Sequence, residues 1–326
     1  MRLPLVIALF WIGSTLGASA QADQYDFVVA LDGSGDYTTV QAALDAVPDI
    51  RKAETRILIK KGVYKEKLVL AGSKTNVTLI GESVKETVLT YDDFADKLNR
   101  FGERIGTSGS SSFYVYGDGF RAENLTFENS SGPVGQAVAV RVDGDRVAFV
   151  GCRFLGYQDT LYPHGKNSRQ YYKNCYIEGT TDYIFGWSTA VFEQCEIYSK
   201  TGGRYITAAS TVESSAYGFV FLNCRLSGDA PKGSVYLGRP WRDYAQTVYI
   251  GCTMDEHIAP EGWHNWDKPN AESTAYYAEY ESRGSGAAPD ERVAWSHQLS
   301  PSEMQKYDVV TVLGGWNPNE QTTVEP

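Results

Sequence analysis

A short motif recurs seven times along the chain, and its spacing leaves few folds open. Read from a small or amide residue, the copies are NVTLIGE from Asn76, NLTFENS from Asn124, GCRFLGY from Gly151, NCYIEGT from Asn174, QCEIYSK from Gln194, NCRLSGD from Asn223 and GCTMDEH from Gly251. Their starts are 48, 27, 23, 20, 29 and 28 residues apart, spacings that belong to a solenoid with one repeat per coil. Inside the copies apolar residues alternate, as in Val77 and Leu79, Leu125 and Phe127, Cys152 and Phe154, which is the period of strands and not of helices. The expected fold is all-β, a single-stranded parallel β-helix. Each coil covers the apolar side chains of its neighbour, and the ends need caps.

Both ends offer one. Thr38 or Thr39 can N-cap a short helix whose apolar side is Val40, Ala43, Leu44 and Val47, with Pro48 beyond its end. After the last repeat, the stretch from about Trp263 to Trp316 is rich in aromatics without clear periodicity. It is expected to pack along the outside of the solenoid through Tyr276, Tyr277, Trp295 and Trp316, because that many exposed aromatics would form a costly patch. No composition break marks a second domain, so residues 21–326 read as one.

Residues 1–20 have the form of a secretory signal peptide: Arg2, an apolar run from Leu3 to Leu16, and an Ala18-Ser19-Ala20 ending. That run is too short to span a membrane, and no later stretch is a candidate, so the expectation is an exported protein, secreted or periplasmic. Without Arg2 the chain carries 29 bases against 40 acids, a net charge of −11 that argues against a nucleic-acid partner. It also disfavours runs of other polyanions. All five Cys occupy the same repeat position, which suits small buried side chains stacked in the core. Cys175 and Cys195 come from the closest-spaced coils, and an oxidising compartment permits a disulfide there. One Cys per coil gives no metal-ligand spacing.

Asp159 follows Cys152 by seven residues, and Asp182 follows Cys175 by seven. Equivalent positions on neighbouring coils lie roughly 4.8 Å apart, near enough for two carboxylates to work as a pair. Two such acids in a partly desolvated cleft do not both ionise freely, so one stays protonated near neutral pH. Gln158 and Gln136 supply amide donors for an oxyanion. Strict alternation would turn Gln158 away from Asp159, so a bend is needed, with Gly156 as its candidate. Tyr162 and Phe185 share a register ten residues after Cys152 and Cys175 and form an aromatic platform suited to sugar faces. Arg239 and Trp241 of LGRPW add a cation able to hold one Asp ionised and a further wall. No G-x-S-x-G elbow is present, and the four His belong to none of these motifs, which leaves them as surface or packing residues.

GYQDTLY (156–162), DYIFG (182–186), QAVAVR (136–141), LGRPW (237–241) and the opening GSGDYTTVQAALDAVP together resemble pectin methylesterase, the carbohydrate esterase of the pectinesterase family. The likeness runs through the late RVAW at 292–295. It implies a right-handed parallel β-helix that removes methyl esters from polygalacturonate (methyl-esterified homogalacturonan), with neither metal nor organic cofactor. By the same resemblance Asp182 is the nucleophile, Asp159 the general acid and then base, Gln136 and Gln158 the oxyanion donors, and Arg239 the group that holds the nucleophile. Thr107, Tyr162, Phe185 and Trp241 then line the substrate groove. Trp187 stands where many relatives have Asn, and Ala209 where Gln is common, with altered subsite preference as the expected effect. A monomer is expected of a capped solenoid.

Three other readings compete. A retaining glycoside hydrolase also uses two carboxylates about 5 Å apart. A polysaccharide lyase would need a calcium-binding acidic cluster, and the one Asp-Asp pair, Asp92-Asp93, lies outside the repeat register. A purely carbohydrate-binding β-helix has no reason to gather two Asp, two Gln and an Arg in one neighbourhood.

Overall fold

A computed structural model describes residues 24–320; the expected signal peptide lies outside the described residues. The strands form three sheets, and every pairing between named strands is parallel. The first sheet has eleven strands, from Phe27–Val29 to His297–Gln298. The second has seven, from Leu68–Leu70 to Tyr236–Gly238, and the third has eight, from Gly62–Lys65 to Thr253–Met254. Each coil contributes a strand to each sheet in turn, which is the parallel β-helix that the repeat implies.

The small or amide residue at the head of each copy has a backbone reason. Asn76, Asn124, Gly151, Asn174, Gln194, Asn223 and Gly251 all adopt φ between 52° and 63°. This left-handed conformation is easy for Gly and tolerated by Asn. It turns the chain from the first sheet into the third at the same point of every coil, and so fixes the register of everything downstream.

Inside, like stacks on like. Phe149, Tyr172, Phe192, Phe221 and Tyr249 pair in register along the first sheet, with successive ring centres 5.2, 4.7, 4.5 and 4.4 Å apart and nearly parallel planes. The next position in that ladder is Glu279, buried with Arg292, whose Nε donates to its Oε1 at 2.7 Å. Arg292 also donates to the carbonyls of Ala259, Pro260 and Gly286. A charge that ends an aromatic stack is tolerable only with its remaining hydrogen bonds made.

The five cysteines form a parallel ladder, each buried and each donating its thiol to a carbonyl of the preceding coil, at 3.4 Å from Cys175 to Phe149 and from Cys195 to Tyr172. The disulfide allowed for Cys175 and Cys195 is not formed; all five thiols are free. Stacked strands hold equivalent Cβ atoms side by side at roughly the 4.8 Å strand spacing. A disulfide draws Cβ atoms to about 3.5–4.5 Å.

The N-terminal cap is the helix Val40–Ala46, with Thr39 accepting from the Ala42 amide and Val40, Ala43 and Leu44 buried over the first coil. At the other end the solenoid runs further than expected. Tyr276–Tyr280 is a further strand of the first sheet, and Tyr277 and Trp263 stack inside the core at 4.3 Å. A single short strand leaves too little alternation to stand out among aromatics. The outer packing begins later, where Leu299, Val312, Leu313 and Trp316 cover Tyr171, Val191, Val220 and Val248 on the outside of that sheet.

Candidate active site

The two acids sit one coil apart in matched register. Leu161 pairs with Ile184, and two residues earlier on each coil stand Asp159 and Asp182, with the Asp159 amide donating to the Thr181 carbonyl at 3.1 Å. Both aspartates are left-handed, φ 66° and 52°. Asp accepts that conformation better than most residues because its short side chain is polar. The break in alternation expected at Gly156 therefore falls on Asp159 itself, and Gln158 need not face away from it. On the C-terminal side the coil is also irregular. Thr181 pairs with Tyr205 and Ile184 with Thr207, so Asp182 and Tyr183 together face Ile206, a bulge that re-aims a side chain.

The acids have different neighbours. Arg239 grips Asp182 with two hydrogen bonds, Nε to Oδ1 at 2.9 Å and Nη2 to Oδ2 at 2.7 Å. Its guanidinium lies between the rings of Trp266 and Tyr205, 3.6 and 3.9 Å from their centres. Held between two aromatic planes, the fork has little freedom to leave the carboxylate. Among the described residues no side chain donates to Asp159. Burial pushes the Asp159 carboxyl well above the ordinary range, and the nearby Asp182 charge pushes it further, with Arg239 opposing weakly. Burial raises Asp182 too, but the Arg239 hydrogen bonds and charge pull against it. Asp182 is thus the acid that ionises first and Asp159 the one that keeps its proton.

Gln136 and Gln158 are joined by an isolated parallel bridge, which sets them side by side on adjacent coils next to the acids. Tyr162 and Phe185 stack with centres 4.0 Å apart and planes 16° from parallel. With Val138, Ala208, Trp241 and Trp266 they form an apolar cluster on the outer face of the second sheet, separate from the main core. Thr107 lies in the short helical turn Gly106–Gly109, whose end is tied to this cluster: the Thr107 carbonyl accepts from the Ser110 hydroxyl, which accepts from the Val138 amide. The residues singled out from the sequence therefore gather around one groove.

Trp266 and Tyr205, the plates around Arg239, were not visible in the sequence. Trp266 falls in the irregular stretch after the last repeat, and Tyr205 lies in no motif that marks it. Trp187 joins the groove wall 5.7 Å from Trp241. Ala209 does not: it is fully buried in the main core, so it bears on packing and has no direct contact with a ligand in the groove. Of the histidines, His257 is buried, with burial lowering its pKa, and His164 bonds to Asp143. Among the described residues no group of three or more potential metal ligands occurs, and no helix is long and apolar enough to cross a membrane.

A sequence model of the Pectinesterase family matches residues 26–316. Pectinesterase 31 of Arabidopsis thaliana is 44% identical over 84% of this chain and 88% of its own length. Some relatives are longer proteins, of which the chain spans about half. Pectin methylesterase from carrot superposes with a TM-score of 0.81 at 36% identity, covering 93% of this chain and 95% of the carrot chain. A pectin methylesterase solved in complex with a hexasaccharide gives 0.79 at 31%, over 91% of this chain and 99% of that one. Fold and relatives together make the molecule a carboxylic ester hydrolase built on a parallel β-helix. More narrowly, the chain belongs to the pectinesterase family.

Proposed function

We propose that the chain hydrolyses the methyl esters of polygalacturonate with Asp182 as nucleophile and Asp159 as general acid and then base. The observation that carries this assignment is the unequal environment of two matched acids: the arginine-held one is ionised and the unpaired, more deeply buried one is protonated. An Asp182 oxygen attacks the ester carbonyl carbon, and Gln136 and Gln158 donate to the oxyanion that forms. Collapse breaks the bond to the methoxy oxygen, which leaves as methanol with the Asp159 proton. Water then attacks the acyl-enzyme anhydride, returning its proton to ionised Asp159 and releasing Asp182 as carboxylate. The new galacturonic acid gives its own proton to solvent. Tyr162, Phe185 and Trp241 offer faces for the sugar rings.

The substrate that fits is methyl-esterified homogalacturonan, met outside the cytoplasm by an exported monomer; the leader-like opening of the sequence supports the export. Methanol release from esterified pectin, with no new reducing ends and no ultraviolet-absorbing unsaturated product, tests this reading against a glycosidase and a lyase. Asp182→Asn should abolish methanol release and leave the far-ultraviolet circular dichroism unchanged. Near-normal turnover in that variant would refute the assignment.

A further inference from the structure

The whole sequence has a net charge of −10, and the arginines on the groove face, Arg141 and Arg239, are each held by a carboxylate. Lys166 and Arg242 differ. Both are exposed, and among the described residues neither side chain has an ion pair or hydrogen bond, yet both converge on one indole. Lys166 Nζ lies 4.9 Å from the Trp187 ring centre and the Arg242 guanidinium 5.7 Å from it, with Arg242 also 5.9 Å from the Trp241 ring. Exposed cation–π contacts are worth only about 0.5–1 kcal/mol each, weak holding for two like charges brought together from different coils. An anion between them would relieve that repulsion.

The position is specific. Trp187 directly follows Thr181–Gly186, the strand that carries Asp182 and Phe185, and Trp241 bridges it to the groove aromatics, 5.7 Å from Trp187 and 5.8 Å from Phe185. Five residues of extended chain separate Asp182 from Trp187, a span of at most roughly 16 Å. The indole is therefore reached by a sugar other than the one under attack.

We propose that Lys166, Arg242 and Trp187 form a subsite for the free carboxylate of a galacturonate unit that has already lost its methyl ester and flanks the ester being hydrolysed. The proposal rests on the esterase reading above. Ammonium and guanidinium donors bind a carboxylate through charge-assisted hydrogen bonds that a neutral methyl ester cannot match, while the sugar ring lies against the Trp wall. The acidic surface repels a free polygalacturonate run at long range, so this local cation pair sets where one free unit is accepted. Because the reaction itself makes such units, the subsite favours the ester beside an existing free acid and lengthens runs of free units.

Binding can be tested without turnover. The dissociation constant of fully de-esterified hexagalacturonate is measured by calorimetry for the wild type, Lys166→Gln/Arg242→Gln and the charge-conserving Lys166→Arg/Arg242→Lys. The Gln pair should bind about tenfold more weakly, since two exposed charge contacts are lost. The charge-conserving pair should recover most of that loss, and the difference should shrink in 0.5 M salt, about where the screening length falls to a few ångströms. Equal affinity in the wild type and the Gln pair would overturn the subsite, as would equal weakening in both double variants. Methanol release is a separate readout and tests the esterase reading alone.

Discussion

Arg239 holds Asp182 through both carboxylate oxygens, while Asp159, one coil away in the same register, has no cation of its own. This asymmetry divides two identical side chains into a nucleophile and an acid.

Removing Arg239 should move the acid limb of the pH–rate profile to higher pH. Burial already raises Asp182, and Arg239 is what opposes that rise. In Arg239→Gln the carboxyl would keep its proton to higher pH, and the nucleophilic form would be lost first under acidic conditions. Arg239→Lys keeps the charge but not the two-pronged grip, and should fall between. At neutral pH a loss of about 10²-fold or more in kcat/KM is expected for the Gln variant. Profiles of kcat/KM against pH for the three proteins check this; an unmoved acid limb would count against the role given to Arg239.

Asp159→Asn should be inactive and more stable. The Asp159 pKa is raised on folding by burial and by Asp182, so the folded state binds its proton more tightly than the unfolded chain does. Its favourable contribution is complete below the ordinary Asp value of 3.8 and is lost as pH rises toward the folded value. An Asn removes the cost of that buried acid. The gain should be on the order of 1–2 kcal/mol at pH 7 and should shrink toward pH 4. Thermal melting at both pH values tests the sign.

All five cysteines should react as free thiols only after unfolding. In the native protein each is buried and donates to a carbonyl of the coil before it, and burial raises the thiol pKa of Cys152, Cys195 and Cys252. Titration with a thiol reagent in guanidinium, without reductant, should count five; a count of three would mean that a disulfide forms after all.

Arg292→Met should cost about 3–5 kcal/mol, because it strands Glu279 without its cation at a position 1% exposed. Pairing it with Glu279→Gln should recover part of the loss. Urea unfolding of the single and double variants measures the coupling.

Much of this molecule is written in its local pattern. Alternation within the repeat dictates strands, the spacing of copies dictates coils, and the left-handed turn at Asn174 and its equivalents locks the register. Counting seven residues from Cys152 and Cys175 is therefore enough to find Asp159 and Asp182 side by side. The same register delivered Tyr162 against Phe185, and LGRPW marked Arg239. What the pattern did not carry was anything set by contacts between distant segments. Trp266 reaches Arg239 from an aperiodic stretch, Tyr276–Tyr280 becomes another rung because the first sheet offers it an edge, and Lys166 meets Arg242 at Trp187 through two loops of unrelated sequence. Periodicity fixes which residues stack, since stacking repeats with the chain. Which side chains from irregular segments close over the groove depends on the shape of the finished solenoid, and only the tertiary structure decides it.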